Sequence, residues 1–291
     1  MTKITFEIEI ITPMFLSGAD QSKAELRAAS IKGLLRFWWR ALQAESDMDE
    51  LRKKEAKIFG SSDEKVGAAK FSLRLVTTVP VTNKFSPVPH STTKRFQFTG
   101  IVPGHKCKIL LTSKNDTDEF GNILEIALLL GGLGRRSRRG FGSVHCNQWH
   151  FKNKQELQDA IFNKIIRINE DFSSQSGKIT RKAGLNASYP FIKEISFGQK
   201  EEANVNSLLR KIGQASHNHF DPALGFAGRH NNNTIRMASP VYAHIAKVEN
   251  GFIPVITTLN SAFPVSYPSR NMIEQTDFID NIISKGLNYG Q

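Results

Sequence analysis

The sequence predicts an α+β fold, from two kinds of hydrophobic periodicity and the order in which they occur. Apolar residues alternate with polar ones in short segments, as in residues 4–10, which is typical of half-buried strands. Elsewhere apolar residues recur every three or four positions, as on one face of an amphipathic helix. In the first half the order is strand, helix, strand, strand, helix, strand, which is the split βαβ, or ferredoxin-like, arrangement.

The first predicted strand covers residues 4–10 and ends at Thr12-Pro13, because proline lacks the N–H that a strand ladder needs. After a loop we expect Ser30 to cap a helix, since helical spacing of apolar residues begins at Ile31. The later elements of this half are a charged helical segment at 45–57, a turn at 60–63, a strand at 71–78, a proline-rich arm or hairpin at 80–102, a strand at 106–112, a helix at 123–130 and a strand at 144–151.

The second half follows a less regular pattern, and it leaves a second ferredoxin-like unit open. Asn250-Gly251 lies between two apolar runs and predicts a hairpin. The basic stretch at 173–184 is interpreted either as a surface arm or as a binding arm. The other predicted elements are a helix at 154–168, a strand at 192–197, a helix at 205–212, a loop at 218–233, the hairpin strands at 239–248 and 252–259, and a closing helix at 272–287.

Composition points to a polyanionic partner. The chain has 291 residues and a net charge of +12, which favours nucleic acid or an acidic membrane surface. We expect a soluble, cytoplasmic protein, because the sequence has neither a signal-peptide core nor an apolar run of about 18 residues. The two cysteines, Cys107 and Cys146, are too few for a disulfide framework or a zinc site.

The segment from Gly131 to Ser143, here called the glycine–arginine loop, has the composition of a phosphate-binding segment. It contains five glycines and four arginines, and its single aromatic residue, Phe141, is a candidate stacking face. Glycine lets the backbone approach a ligand closely, and the planar guanidinium group suits phosphate oxygens. The alternative interpretation is a solvated basic turn. Neither the P-loop pattern nor the dinucleotide-binding glycine pattern is present.

A second candidate for RNA contact lies on the first predicted helix. Lys32, Arg36 and Arg40 are spaced four residues apart, so they form a basic stripe on one helix face. Trp39 flanks this stripe and is either a stacking platform or a packing residue. Single-stranded RNA is bound by basic grooves that carry aromatic platforms, which this combination would supply.

Catalytic chemistry is weakly supported by the sequence. His217, His219 and Asp221 form its densest titratable cluster, and such a string can ligate a metal, but no further ligand group lies nearby. Asp20 has no evident partner histidine and is expected to accept hydrogen bonds in its own loop. We therefore expect no catalytic residues, no metal and no cofactor.

Several blocks of the sequence closely resemble those of one family. These blocks are Thr12-Pro13-Met14-Phe15, Gly18-Ala19-Asp20, Glu25-Leu26-Arg27 and Ser30-Ile31-Lys32-Gly33-Leu34-Leu35-Arg36-Phe37-Trp38-Trp39-Arg40. They are similar to the first subunit of the Cmr (type III-B) CRISPR effector complex, in the RAMP superfamily. The glycine–arginine loop resembles the glycine-rich loop of that superfamily. Arg236, Ser239 and Pro240 resemble a further family block.

The resemblance implies two ferredoxin-like (RRM-like, βαββαβ) domains of the RAMP type in tandem, here placed at residues 1–152 and 153–291. It implies an RNA-binding subunit of an RNA-guided antiviral complex, near the 3′ part of the guide. In family terms this subunit is not the nuclease. Backbone subunits of the superfamily do cleave target RNA with an aspartate in the loop after the first strand, which is where Asp20 lies.

Three classes of function therefore remain open. The first is a non-catalytic subunit that binds guide or target single-stranded RNA beside other Cmr subunits, with no membrane partner. The second is a RAMP-type endoribonuclease, and the third is a structural adaptor that docks other subunits. The predicted RNA-binding residues are Arg27, Lys32, Arg36, Trp39, Arg40, Arg135, Arg136, Arg138, Arg139, Phe141, Arg229 and Arg236.

Overall fold

The protein is a mixed α/β structure whose sheets are antiparallel. The computed structural model describes residues 2–62, 65–91, 96–114, 117–182, 184, 186–231, 233–260, 263 and 267–284. A four-stranded sheet lies in the first half and a five-stranded sheet in the second, and two further strand pairs stand apart from them. In this described part of the chain, no helix is long and apolar enough to cross a membrane.

The first half contains the six elements of the predicted order, and the charged helix and the hairpin, which were also predicted, lie on either side of the second strand of that order. Its elements are β1 (Thr2–Ile10), α1 (Ala28–Leu42), α2 (Met48–Phe59), β2 (Phe71–Thr77), β3 (Thr82–Phe85), β4 (Phe98–Ile101), β5 (Lys106–Ser113), α3 (Thr117–Leu130) and β6 (Val144–Cys146). The large sheet has the order β2-β5-β1-β6, and all its pairs are antiparallel. The proline-rich arm is the hairpin β3–β4, apart from residues 92–95, which lie outside the described residues.

Helix α3 occupies the centre of the molecule. It contacts β1, β5 and β6 of the first sheet as well as β12 (Val241–Val248) and β13 (Gly251–Leu259) of the second. Its residues from Ile126 to Leu130 are all fully buried. A helix that is apolar on all sides is buried on all sides, which explains the uninterrupted apolar run in this segment.

The second half consists of one sheet covered by helices. Its elements are α4 (Lys154–Ile166), β7 (Phe172–Gln175), β8 (Lys178–Arg181), β9 (Ile192–Phe197), α5 (Val205–Asn218), a short 3-10 helix (Pro222–Leu224), β10 (Phe226–His230), β11 (Asn233–Met237), β12, β13 and α6 (Met272–Ile283). The sheet order is β12-β13-β9-β8-β7, and β10 and β11 form a separate hairpin. One hydrophobic cluster contains side chains from both halves, and a second joins α5 and α6 to β12 and β13.

Arg181 ties the two halves together. Its side chain is 8% exposed and lies between the rings of Phe172 and Phe191, 4.4 and 5.4 Å from their centroids. Its guanidinium group donates to the carbonyl oxygens of residues 41, 42 and 43, at 3.4, 3.2 and 3.2 Å. These carbonyls end α1 and lack intrahelical partners. The basic stretch at 173–184 is therefore no free surface arm: it forms the hairpin β7–β8 and buries this arginine.

The structure corrects several predicted boundaries. Helix α1 begins at Ala28 with Arg27 at the N-cap position, so Ser30 lies inside the helix. Strand β6 ends at Cys146. The segment predicted as a loop at 218–233 instead contains the last residue of α5, the 3-10 helix, β10 and the first residue of β11. The described part of the closing helix ends at Ile283, and residues 285–287 lie outside the described residues. The boundary at 152/153 falls between β6 and α4 and stays a prediction.

Candidate nucleic-acid interface

The glycine–arginine loop follows α3 and is held by the chain segment after β1. Gly142 N donates to the Pro13 carbonyl at 3.0 Å, and Arg135 N donates to the Phe15 carbonyl at 2.8 Å. The buried Thr12 hydroxyl donates to the Gly140 carbonyl and accepts from Ser143 N, both at 2.8 Å. The Thr12-Pro13-Met14-Phe15 block thus forms the cradle that holds the glycine–arginine loop. This contact explains why the two motifs occur in the same sequence.

Close backbone approach requires glycine at several positions of the loop, among them Gly134 and Gly142, which also have left-handed backbone conformations. Gly134 has φ +90°, and a Cβ there would lie 2.4 Å from the Phe15 carbonyl oxygen. Gly142 has φ +67°, and a Cβ there would lie 2.0 Å from the Leu133 carbonyl oxygen. Both are left-handed conformations that side chains disfavour, and both contacts are with backbone that cannot move aside. These two glycines therefore serve packing within the protein.

The second arginine pair of the loop, Arg138 and Arg139, binds the second half of the chain. Arg138 contacts the Ser239 carbonyl and lies 4.5 Å from the Tyr242 ring centroid. Arg139 donates to the Val241 carbonyl at 3.1 Å, to the Arg138 carbonyl at 2.8 Å and to the Ser239 hydroxyl at 3.2 Å. Burial lowers the pKa of Arg139 to about 9, with further lowering by the charges of Arg136 and Arg138. The RNA-contact prediction is corrected for Arg139, because the protein's own oxygen atoms already occupy its guanidinium group. For Arg138, which is partly exposed, it stays a prediction.

The first pair of the loop, Arg135 and Arg136, is more exposed than the second, although burial lowers the pKa of the Arg136 guanidinium group. Both residues are exposed, and Arg136 has a positive φ of 63°, which is uncommon for a residue with a side chain. The guanidinium group of Arg135 lies 5.5 Å from the Phe98 ring centroid. Among the described residues, none of the four loop arginines forms an ion pair with a carboxylate. This pair therefore offers positive charge that the described protein does not neutralise.

The two aromatic residues predicted to stack on RNA are core residues. Phe141 is 2% exposed, and its ring centroid lies 5.0 Å from that of Phe15. Trp39 is 3% exposed and makes an edge-on contact with Phe59 at 5.9 Å between centroids. The structure corrects both predictions, because a base cannot reach a ring that is enclosed on both faces.

The basic stripe on α1 is largely an internal ion-pair site. Arg36 and Arg40 both contact the carboxylate of Glu55 in α2, which is 2% exposed. A buried carboxylate needs such partners, since an isolated buried charge is costly. Both arginines are half-exposed and share one negative charge, but their first role is to pin α2 against α1. Lys32 is partly buried and lies 5.8 Å from the Phe71 ring centroid.

The remaining predicted contacts are exposed. Arg27 lies 4.0 Å from a Glu25 carboxylate oxygen, and because both side chains are exposed this ion pair is weak. Arg229 and Arg236 lie on the hairpin β10–β11, where Arg229 pairs with Thr234 and Ala227 pairs with Arg236. Because alternate residues of a strand point to the same side, both arginines lie on one face of this hairpin. Their roles in RNA binding stay predictions.

The candidate catalytic residues are engaged in local structure. Asp20 accepts hydrogen bonds from the hydroxyl group of Ser22 at 2.6 Å and from its backbone N–H at 2.9 Å. These bonds, that of the side chain first, lower the pKa of the Asp20 carboxyl group. His219 Nδ1 lies 2.8 Å from a Glu274 carboxylate oxygen, and Asp221 accepts from Ala223 N at 2.7 Å. Within the described ranges, no group of three or more potential ligands could hold a metal ion.

Two features beside the glycine–arginine loop were not predicted from the sequence: the exposed ring of Phe220 and the contact between His90 and His217. Phe220 is 91% exposed, and His90 stacks on His217 with 5.2 Å between ring centroids. Cavities of about 290 and 450 Å³ adjoin here, and Phe220 and Arg136 line both. The one available signal was the phenylalanine within the polar string His217-Asn218-His219-Phe220-Asp221. The contribution of His90, from the proline-rich arm, could not be seen without the tertiary structure.

Comparison with known proteins supports the resemblance seen in the sequence. Residues 7–145 match the family described as the RAMP superfamily. The chain is 41% identical over 68 residues to the CRISPR system Cmr subunit Cmr1-2 of Pyrococcus furiosus, and 27% identical over 175 residues to Cmr1-1 of the same organism. The matched regions span 36% and 46% of these two relatives, so less than half of either one is covered.

Solved structures share the fold over nearly the whole chain. The crystal structure of apo Cmr1 from Pyrococcus furiosus matches with a TM-score of 0.63 and 18% identity, covering 97% of this chain and 96% of that one. A chain from the type III-B Cmr-beta complex bound to cognate target RNA matches with a TM-score of 0.61 and 10% identity, covering 96% and 98%. The predicted resemblance is confirmed: residues 7–145 match the RAMP superfamily, and the chain is similar to the Cmr1 subunits of type III-B CRISPR systems.

Proposed function

We propose that this chain is a non-catalytic RNA-binding subunit of a type III-B CRISPR effector complex, which contacts guide or target single-stranded RNA. The observation that carries the proposal is the exposed pair Arg135 and Arg136, which has no carboxylate partner in the described part of the molecule. Arginines that the protein leaves unneutralised attract an anion, and phosphate suits the guanidinium fork. The similarity to Cmr1 subunits makes RNA the preferred anion, beside other Cmr subunits as partners.

The proposal includes two ferredoxin-like domains of the RAMP type in tandem. The sheet order β2-β5-β1-β6, with α1 and α3 as the two helices, is the order expected of the first domain. In the second half, β9, α5, β12, β13 and α6 follow the same sequence of elements. Strand β8 lies beside β9, where a fourth strand of such a domain would pair. A subunit that works on guide RNA is also expected in the cytoplasm.

Salt dependence tests the phosphate contacts. Replacing Arg135 and Arg136 together with alanine should lower the log–log salt slope of RNA binding by about 0.7–1.4 units, because each phosphate contact on a single strand contributes about 0.7. Two unrelated unstructured RNAs should lose affinity to a similar extent, since phosphate contacts carry no base information. The measurement is an affinity series over salt concentration with the full chain.

A matched control removes the same amount of charge elsewhere. Lys53 and Lys178 are exposed lysines that pair with Glu50 and Glu194 at 2.6 and 2.9 Å, so their double alanine variant should keep the wild-type slope. An unchanged slope in the arginine variant, combined with lost assembly into the complex, would support the adaptor alternative. Loss of affinity for only one of the RNAs would indicate base recognition, which the proposal does not include.

We also propose that the chain does not cleave RNA. Asp20 accepts two hydrogen bonds from Ser22, which favour its ionised form and hold it in the loop, and His219 and Asp221 are tied to structural partners. Incubation of labelled single-stranded RNA with the protein and Mg²⁺ or Mn²⁺ should leave the RNA intact. Cleavage that disappears in Asp20→Ala or His217→Ala would establish the endoribonuclease alternative instead.

A further inference from the structure

The most exposed aromatic ring beside the glycine–arginine loop is that of Phe220. Its residue is 91% exposed, although it follows directly on a well-packed helix, α5. A single exposed apolar side chain needs no functional explanation by itself, but one that lines two cavities together with an arginine is a candidate ligand contact. Phe220 lies on the shared edge of the cavities of about 290 and 450 Å³ described above.

The residues on both sides of Phe220 are anchored by hydrogen bonds, which hold the backbone that carries the ring. His219 bonds Glu274 of α6 at 2.8 Å and also contacts Asn281 of the same helix. Asp221 accepts from Ala223 N at 2.7 Å and from Asn271 N at 3.0 Å. Anchoring on both sides limits the backbone freedom that this segment would lose when a ligand binds, which favours affinity.

The charge around Phe220 suits an anionic ligand with a flat apolar part. Arg136 lines both cavities and supplies the positive charge. His90 and His217 line the smaller cavity, where burial lowers the pKa of His90, so that this ring offers hydrogen bonds rather than charge at neutral pH. The carboxylate in the smaller cavity, Asp221, is already engaged by two backbone N–H groups. Single-stranded RNA combines these two chemical features in each nucleotide, a negative phosphate and a base with two flat faces.

We propose that Phe220 is a stacking platform for one unpaired RNA base, with the adjoining phosphate bound by Arg136. This inference rests on the proposed RNA-binding function and names the contact that holds a base at this site. Stacking on one aromatic ring accepts any base, because every base has a flat π face. The site would therefore bind a strand whatever its sequence, as a subunit that meets varied guides and targets must.

The test compares substitutions at Phe220 in the full chain, with a short unstructured RNA as the probe. Phe220→Ala should weaken binding about 5- to 140-fold, the range for losing one base–aromatic stack, and should leave the salt slope unchanged. Phe220→Tyr should retain affinity, whereas Phe220→Leu should not restore it, because leucine is apolar but not aromatic. Val79→Ala is the matched control, since Val79 is also 91% exposed and should have no effect.

A second probe separates stacking from general surface changes. An RNA of the same length whose bases are all abasic keeps its phosphates, so wild type and Phe220→Ala should bind it equally. Equal binding of normal RNA by both proteins would overturn the inference and leave the proposed function intact. Failure of wild type to bind any RNA would overturn the proposed function itself. Unchanged RNA affinity with lost assembly of Phe220→Ala into the complex would show that a neighbouring protein covers this ring.

Discussion

Replacing Arg139 with alanine should lower the free energy of unfolding by about 3–5 kcal/mol. Several hydrogen-bond acceptors lose their donor in this variant, and each unsatisfied buried group costs about 1–3 kcal/mol. The guanidinium group donates to the carbonyls of Arg138, Val241 and Leu224 at 2.8, 3.1 and 3.4 Å, and to the Ser239 hydroxyl at 3.2 Å. It also covers the Phe278 ring, at 4.9 Å from the centroid. Urea unfolding of the full chain measures the loss.

The matched control is Arg135→Ala in the same loop. Arg135 is exposed, so its removal should change stability by no more than about 0.5 kcal/mol. The two arginines would then have different roles, since Arg139 affects the stability of the protein and Arg135 affects the salt dependence of RNA binding. Coincident unfolding curves for Arg139→Ala and wild type would show that the contacts of Arg139 with the second half of the chain contribute little.

Gly142→Ala should prevent folding or destabilise the protein by more than about 4 kcal/mol, more than the strain of a left-handed residue alone. Its φ is +67°, and the new methyl group would lie 2.0 Å from the Leu133 carbonyl oxygen. The loop could accept this atom only if residues 133 and 142 moved apart, and the hydrogen bond from Leu133 N to the Gly142 carbonyl, at 3.0 Å, would then be lost. Soluble yield and thermal unfolding report the effect.

Gly104→Ala is the control for backbone strain without a clash. Gly104 has φ +89°, but a Cβ there would meet nothing within 4 Å. The expected cost is therefore the left-handed conformation alone, about 1–2 kcal/mol. Similar losses in the two variants would mean that the loop adapts to a side chain, and the close-approach argument for Gly142 would be wrong.

Local periodicity was sufficient to predict most of the strands and helices. Alternation at residues 4–10 and 71–78 corresponds to β1 and β2, and Asn250-Gly251 lies at the turn between β12 and β13. These predictions work because side-chain direction repeats every two residues in a strand and every 3.6 residues in a helix. The ends of the helices and strands were predicted less well. Arg27 rather than Ser30 occupies the N-cap position of α1, and its side chain makes no capping hydrogen bond.

The amino-acid sequence by itself determined the α+β pattern, the basic charge and the family resemblance, because these depend on composition and on neighbours along the chain. Only the tertiary structure decided which basic and aromatic residues are available to a ligand. Arg139 and Arg135 look alike in the sequence, yet carbonyls from the second half of the chain surround the first and leave the second exposed. Phe141 is enclosed and Phe220 stands free for the same reason: burial depends on contacts between residues far apart in the chain.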